Sequence, residues 1–112
     1  MPVIAIAEIF GISGRRKELV ALMTRTEQRV RELPGSRRYV FAARVEAPDE
    51  FVLVSEWETY DAMAAYHRSK HFAAYQSELN GLLARPSEMT VYSITDAVRP
   101  VPSGPLDPRD AD

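Results

Sequence analysis

Apolar residues run from Val3 to Phe10 with only Glu8 interrupting, and valine and isoleucine dominate the run. Such a pattern predicts a strand covered on both faces. Gly11-Ile12-Ser13-Gly14 breaks it, and Ser13 stands where a helix cap belongs. Leu19, Leu22, Met23, Thr26, Val30 and Leu33 then recur at helical spacing until Pro34-Gly35, which predicts an amphipathic helix of about five turns. Two β-rich segments follow, Arg37 to Glu46 and Phe51 to Glu58, joined by a turn around Pro48 and Asp49. They predict an antiparallel hairpin. Thr59 or Asp61 opens a short helix, and a second helical run from about Lys70 to Ala84 sets Phe72, Tyr75, Leu79 and Leu82 on one side. Alternation between Ser87 and Val98 predicts the last strand.

The resulting order, β-α-β-β-α-β, is the ferredoxin-like split unit, an α+β fold with one antiparallel sheet and its helices on one face. Val3, Ala5, Ala7 and Ile9 fall on one side of the first strand, with Ile4, Ile6 and Phe10 on the other. The third strand repeats this, with Phe51, Leu53 and Trp57 opposite Val52 and Val54. Helices cover only one of these faces, so the other needs a cover from outside the monomer, and a homodimer packed sheet to sheet supplies it. The domain is expected over residues 1–97 and a proline-rich tail over 98–112. From Pro100 onward the tail holds four of the eight prolines, and its three aspartates against one arginine account for the net charge of −2. It is expected to be either a disordered extension or an arm laid on the partner subunit.

Composition narrows the function classes. A chain of 112 residues builds one core and one domain. Its charge balance offers no electrostatic reason for nucleic acid or an anionic membrane as partner, no segment approaches the roughly 18 apolar residues of a spanning helix, and no basic leader opens the chain, so a cytoplasmic location is the default expectation. With no cysteine, disulfides, thiolate metal sites and a cysteine nucleophile are excluded.

Candidate chemistry concentrates between Glu56 and Phe72, in EWETYDAMAAYHRSKHF. Trp57, at a strand end on the helix-covered face, either packs against the helix pair or stacks on a substrate. His71 offers an imidazole near neutral pKa for proton abstraction, or a plain hydrogen bond at a helix start. Tyr66, Phe72 and Tyr75 either line a cavity or belong to the core. His67 and His71 have the spacing of a metal clamp only on one continuous helix, and a break is expected between Tyr66 and Lys70, which removes the metal site and displaces His67 from the pocket. Arg44 is expected to pair with Glu8 or Glu56 on the far face of the sheet.

The element order, Gly14 before the first helix, LPGSRRYVF after it, and Trp57, Ala62, Ser69, His71 and Phe72 in the aromatic stretch resemble the antibiotic biosynthesis monooxygenase superfamily of dimeric α/β barrels over residues 3–97. Many members place a histidine nine residues after the tryptophan, where this chain has Tyr66. The haem-degrading branch uses an asparagine, an aromatic and a histidine at positions held here by Ala7, Tyr66 and Gln76. The resemblance implies a homodimer and a monooxygenase that works on a small aromatic polyphenol or quinol with no flavin, haem or metal. His71 would assist deprotonation, and Trp57, Tyr66, Phe72 and Tyr75 would bind the substrate. The alternative is a non-catalytic dimeric protein that binds a small molecule in the same pocket.

Overall fold

The computed structural model describes residues 1–96. It contains β1 (Val3–Phe10), α1 (Arg16–Val30), β2 (Ser36–Ala43), β3 (Glu50–Trp57), α2 (Tyr60–His67), α3 (Lys70–Asn80) and β4 (Glu88–Ser93). All pairings are antiparallel in the order β2-β3-β1-β4, the α+β ferredoxin-like arrangement that the pattern predicts. The expected tail lies outside the described residues. Among those residues, no helix is long and apolar enough to cross a membrane.

The predicted elements sit in place, and their ends shift for identifiable reasons. Ser13 does not cap α1: the helix opens after Arg15 with no side-chain cap, because Gly14 turns the chain at φ +88° and the first turn is held by Arg15 pairing with Glu18. At the other end α1 stops at Val30, and Leu33 and Ser36 donate to the carbonyls of Val30 and Leu33 in successive turns. Gly35 completes this corner at φ +81°, and a Cβ there would stand 2.6 Å from that of Ala62, so glycine also lets α2 approach. The second long run ends at Asn80 rather than Ala84, since Gly81 closes α3 and the Leu82 carbonyl accepts from Ile12 instead of continuing a helix.

Register explains where the core sits. On the helix-covered face, Trp57 aligns with Val3 at one end and Phe51 with Ile9 at the other. Between them lie the rows Tyr39-Ser55-Ala5 and Phe41-Leu53-Ala7. Large buried side chains close the two ends of the sheet, while Ala5, Ala7 and Ser55 make the middle of β1 and β3 low beside Tyr39 and Leu53. The helices rest on the ends and span the middle, leaving space beneath them. On the opposite face, Ile4, Ile6, Val40, Val52 and Val54 form an apolar centre that no helix covers. Arg44 stands at its margin, 3.1 Å from Glu8 and 3.6 Å from Glu50, so it meets one of the two partners expected for it.

Candidate functional site

The space above the small middle rows is a cavity of about 210 Å³. Its floor is Ala5, Ala7, Leu53 and Ser55 from β1 and β3, with Tyr39 from β2 at one side. Its roof is Tyr66 and His67 from the end of α2, and Phe72, Tyr75, Gln76 and Leu79 from α3. Met89 on the exposed edge strand β4 stands at its rim. The volume is below the range of drug-sized ligand sites, so the cavity suits a small molecule.

The break between α2 and α3 builds the roof. Ser69 accepts from the Phe72 amide at 3.2 Å, capping α3, while its hydroxyl donates to the Tyr66 carbonyl at 2.6 Å, tying the end of α2 to the start of α3. Aromatic groups from both helices therefore meet. Tyr66 stacks on Trp57 at 5.5 Å between ring centroids and meets Phe72 edge to face at 5.2 Å. Phe72 in turn lies 4.7 Å from the His67 ring and 6.1 Å from Tyr75. Tyr66, Phe72 and Tyr75, all expected near a pocket, line the cavity together.

Trp57 stands behind this lining. It is 1% exposed, its indole N–H has no hydrogen-bond partner among the described residues, and its outer side borders a separate apolar groove where Tyr66 and His71 join it beside Leu33, Pro34 and Ala62. Its contact with the cavity runs through Tyr66.

The two histidines separate at the helix break. The sequence pattern displaces His67 from a pocket shared by Trp57, Tyr66 and His71; in the structure His71 borders the apolar groove beside Trp57 and Tyr66, while His67 lines the cavity beneath α2 and α3. As the last residue of α2 it lines the cavity with Tyr66, whereas His71, in the first turn of α3, borders both the groove beside Trp57 and a second groove toward α1. There His71 Nδ1 lies 2.9 Å from the Arg29 guanidinium, in a groove that also includes Arg25 and Glu78, themselves paired at 2.9 Å. Arginine always donates, so this Nδ1 accepts and carries no proton in the contact. Tyr66 and Tyr75 separate this groove from the cavity, touching both.

Burial sets the proton inventory. It lowers the His67 pKa, favouring the neutral base. It pushes Tyr75 up to about 12 and raises Tyr39 and Tyr66 further, so all three phenols stay protonated and act as hydrogen-bond donors or acceptors. A neutral imidazole facing neutral phenols, an amide at Gln76 and aromatic walls can take a proton from a bound hydroxyl and hold the resulting oxyanion. Among the described residues no three histidine, aspartate or glutamate side chains gather to hold a metal.

Tyr39 and Ser55 line the cavity although the sequence pattern does not single them out, together with His67, expected outside the pocket, and Gln76, noted only as the counterpart of a histidine in the haem-degrading branch. Alternation carries a usable signal for two of them, because Ser55 and Tyr39 share the inward parity of Phe51, Leu53, Trp57 and Phe41. A serine on an otherwise apolar inward row marks unfilled space or a polar ligand. His67 and Gln76 leave no comparable trace, since their direction depends on how the helix pair bends.

Comparison with known proteins agrees with this architecture. No curated protein matches the chain. Among solved structures, Rv0793 from Mycobacterium tuberculosis superposes with a TM-score of 0.81 at 26% identity, covering 88% of this chain and 100% of that one. A candidate antibiotic biosynthesis monooxygenase from Deinococcus radiodurans gives 0.84 at 18% identity over 89% of this chain and 99% of its own. A single-site mutant of SnoaB, a cofactor-independent oxygenase from Streptomyces nogalater, gives 0.76 at 18% identity over 87% and 96%. The family profile for antibiotic biosynthesis monooxygenase matches residues 2–78, a span running from the cavity floor through the helix break to Glu78 in α3, and the chain belongs to that family.

Proposed function

We propose that this protein is a cofactor-independent monooxygenase for a small phenolic or quinol substrate of one or two rings, bound in the cavity beneath α2 and α3. The observation that carries the reading is the neutral His67 imidazole placed among protonated tyrosines in an aromatic space of about 210 Å³. Family membership supports the reaction class, and the name of SnoaB as a cofactor-independent oxygenase supports chemistry carried by the substrate itself.

His67 accepts the proton of a substrate hydroxyl, and the tyrosine hydroxyls and Gln76 hold the oxyanion. The electron-rich anion passes one electron to dioxygen, the substrate radical and superoxide combine into a carbon-bound peroxide, His67 returns its proton to give the hydroperoxide, and loss of the C–H proton with the distal hydroxide as water leaves a carbonyl. One oxygen atom enters the product, the other leaves as water, and the two electrons of the broken C–H bond together with the two of the broken O–H bond reduce dioxygen. The protein supplies orientation, a base and exclusion of bulk water. His71, the base expected from sequence, borders the groove beside Trp57 and has its Nδ1 against Arg29, outside the cavity beneath α2 and α3, so we assign it to holding the helices and His67 to the chemistry.

The second part of the proposal is a homodimer through the uncovered sheet face. Ile4, Ile6, Val40, Val52 and Val54 form an apolar centre there, and β4 is exposed along its length, with Tyr92 52% and Met89 51% exposed. A second copy over this face and edge would close the rim of the cavity at Met89.

Turnover of one- and two-ring quinols in air and under nitrogen tests the oxygenase, with ¹⁸O₂ followed into product. Label in the new carbonyl and loss of turnover under nitrogen are expected. Equal turnover in both atmospheres overturns the oxygenase, while binding without turnover in either makes the protein a small-molecule binder. Light scattering at micromolar concentration checks the dimer, and a mass near 12.6 kDa overturns it.

A further inference from the structure

Two spaces meet at one side chain. The cavity beneath α2 and α3 holds about 210 Å³, and the groove on the outer side of Trp57 holds about 430 Å³. Small residues make the groove. Ala62, Ala65 and Tyr66 share one face of α2 at helical spacing, and the two alanines leave that face low. The corner Leu33-Pro34-Gly35 forms the opposite wall, close to Ala62 because Gly35 has no Cβ. Among the described residues, Tyr66 alone lines both the cavity and the groove.

The ring of Tyr66 stands between them. On one side it stacks on Trp57, with centroids 5.5 Å apart and planes 22° from parallel, and Trp57 lines the groove but not the cavity. On the other it meets Phe72 edge to face at 5.2 Å, and Phe72 lines the cavity but not the groove. A side chain without this ring leaves Trp57 facing Phe72 across a gap that suits another flat ring. His67 and Gln76, which can meet a substrate hydroxyl, lie on the cavity side, and the groove beyond is mostly apolar. A longer molecule in the joined space therefore keeps its hydroxyl end in the cavity and lays its apolar end along α2.

We propose that Tyr66 sets the upper size of the substrate, an inference that rests on the cavity being the substrate site. Its ring confines the ligand to two fused rings, and its removal joins cavity and groove into one site for a three-ring hydroxyarene.

Binding of 2-naphthol and 2-anthrol under nitrogen, followed by titration and by NMR, tests this without turnover. The unmodified protein is expected to bind 2-naphthol at least about tenfold more tightly than 2-anthrol, and Tyr66→Ala to reverse the order. Tyr66→Phe keeps the ring and is expected to keep the original order. In the unmodified protein 2-naphthol is expected to move the Gln76 side-chain amide and leave the Ala62 methyl in place, whereas 2-anthrol in Tyr66→Ala moves both. Removing a buried ring destabilises the fold, so Tyr66→Leu, which clears only the outer part of the ring, is held to the same criterion. Equal affinity for the two ligands in the unmodified protein overturns the proposal, as does a folded Tyr66→Ala or Tyr66→Leu that keeps the original order. Reversal in Tyr66→Phe overturns it by making the hydroxyl the determinant. Movement of Ala62 without Gln76 overturns it by making the groove a separate site. Absence of any Gln76 response to 2-naphthol overturns the cavity as substrate site and this inference with it, whereas equal turnover in air and nitrogen overturns the oxygenase and leaves the size limit standing.

Discussion

His67 and His71 lie four residues apart, yet they occupy different physical worlds. His67 closes α2, faces a cavity walled by aromatic rings, and loses hydration, which lowers its pKa. His71 begins α3 and rests in the groove between α1 and α3 against an arginine that orients one of its nitrogens. On the function proposed above, the same side chain serves as a base in one region and as a surface tie in the other. The two-residue break at Arg68-Ser69 makes the difference, because a continuous helix would turn both rings to one side.

The sharpest way to break this comparison is to remove each ring in turn. His67→Ala is expected to lower kcat by about 10²–10⁴-fold if it is the base, while His71→Ala changes it by less than about threefold. The reverse order, measured as oxygen uptake with a quinol that binds both variants, would move the chemistry to the outer groove. Next in size is Trp57→Ala, which removes the buried ring behind Tyr66 and is expected to cost about 3–5 kcal/mol in chemical denaturation. A loss below about 1 kcal/mol would mean that the cavity wall does not depend on this stack.

Acid sharpens the contrast at lower amplitude. Because burial lowers the folded-state pKa of His67, the unfolded chain takes up a proton first as pH falls below about 6.5. The stability that His67 contributes by staying neutral is complete above that pH and is lost as pH falls toward its folded-state pKa. His67→Gln should flatten this part of the denaturation profile, and an unchanged slope would show that the ring is wetter than its surroundings imply. The smallest effect belongs to the outer groove. Arg29→Ala removes the His71 contact on an exposed surface and is expected to change stability by less than about 1 kcal/mol, with turnover kept.

Much of the fold is legible in the sequence because its signals are local. The apolar runs of β1 and β3, Thr59 capping α2 by accepting from Ala62, and the stop at Pro34-Gly35 all act within a few residues. The cluster of Tyr66, Phe72 and Tyr75 is equally accessible, since helical spacing and the short link between helices force these rings together. His67 escapes such reading for a different reason. A helix end has no periodic partner beyond it, and its direction is set by Ser69 bonding back to Tyr66 and by what α1 and the sheet leave open.

What the sequence determined by itself is the set of elements, the faces they bury and the family they belong to, since hydrophobic period and turn chemistry are properties of neighbouring residues. What only the tertiary structure decided is which imidazole meets the cavity, and that Ala5, Ala7 and Ser55 lie side by side to leave a space. These depend on register and helix direction, through which residues tens of positions apart become neighbours, and no short stretch of chain carries that information.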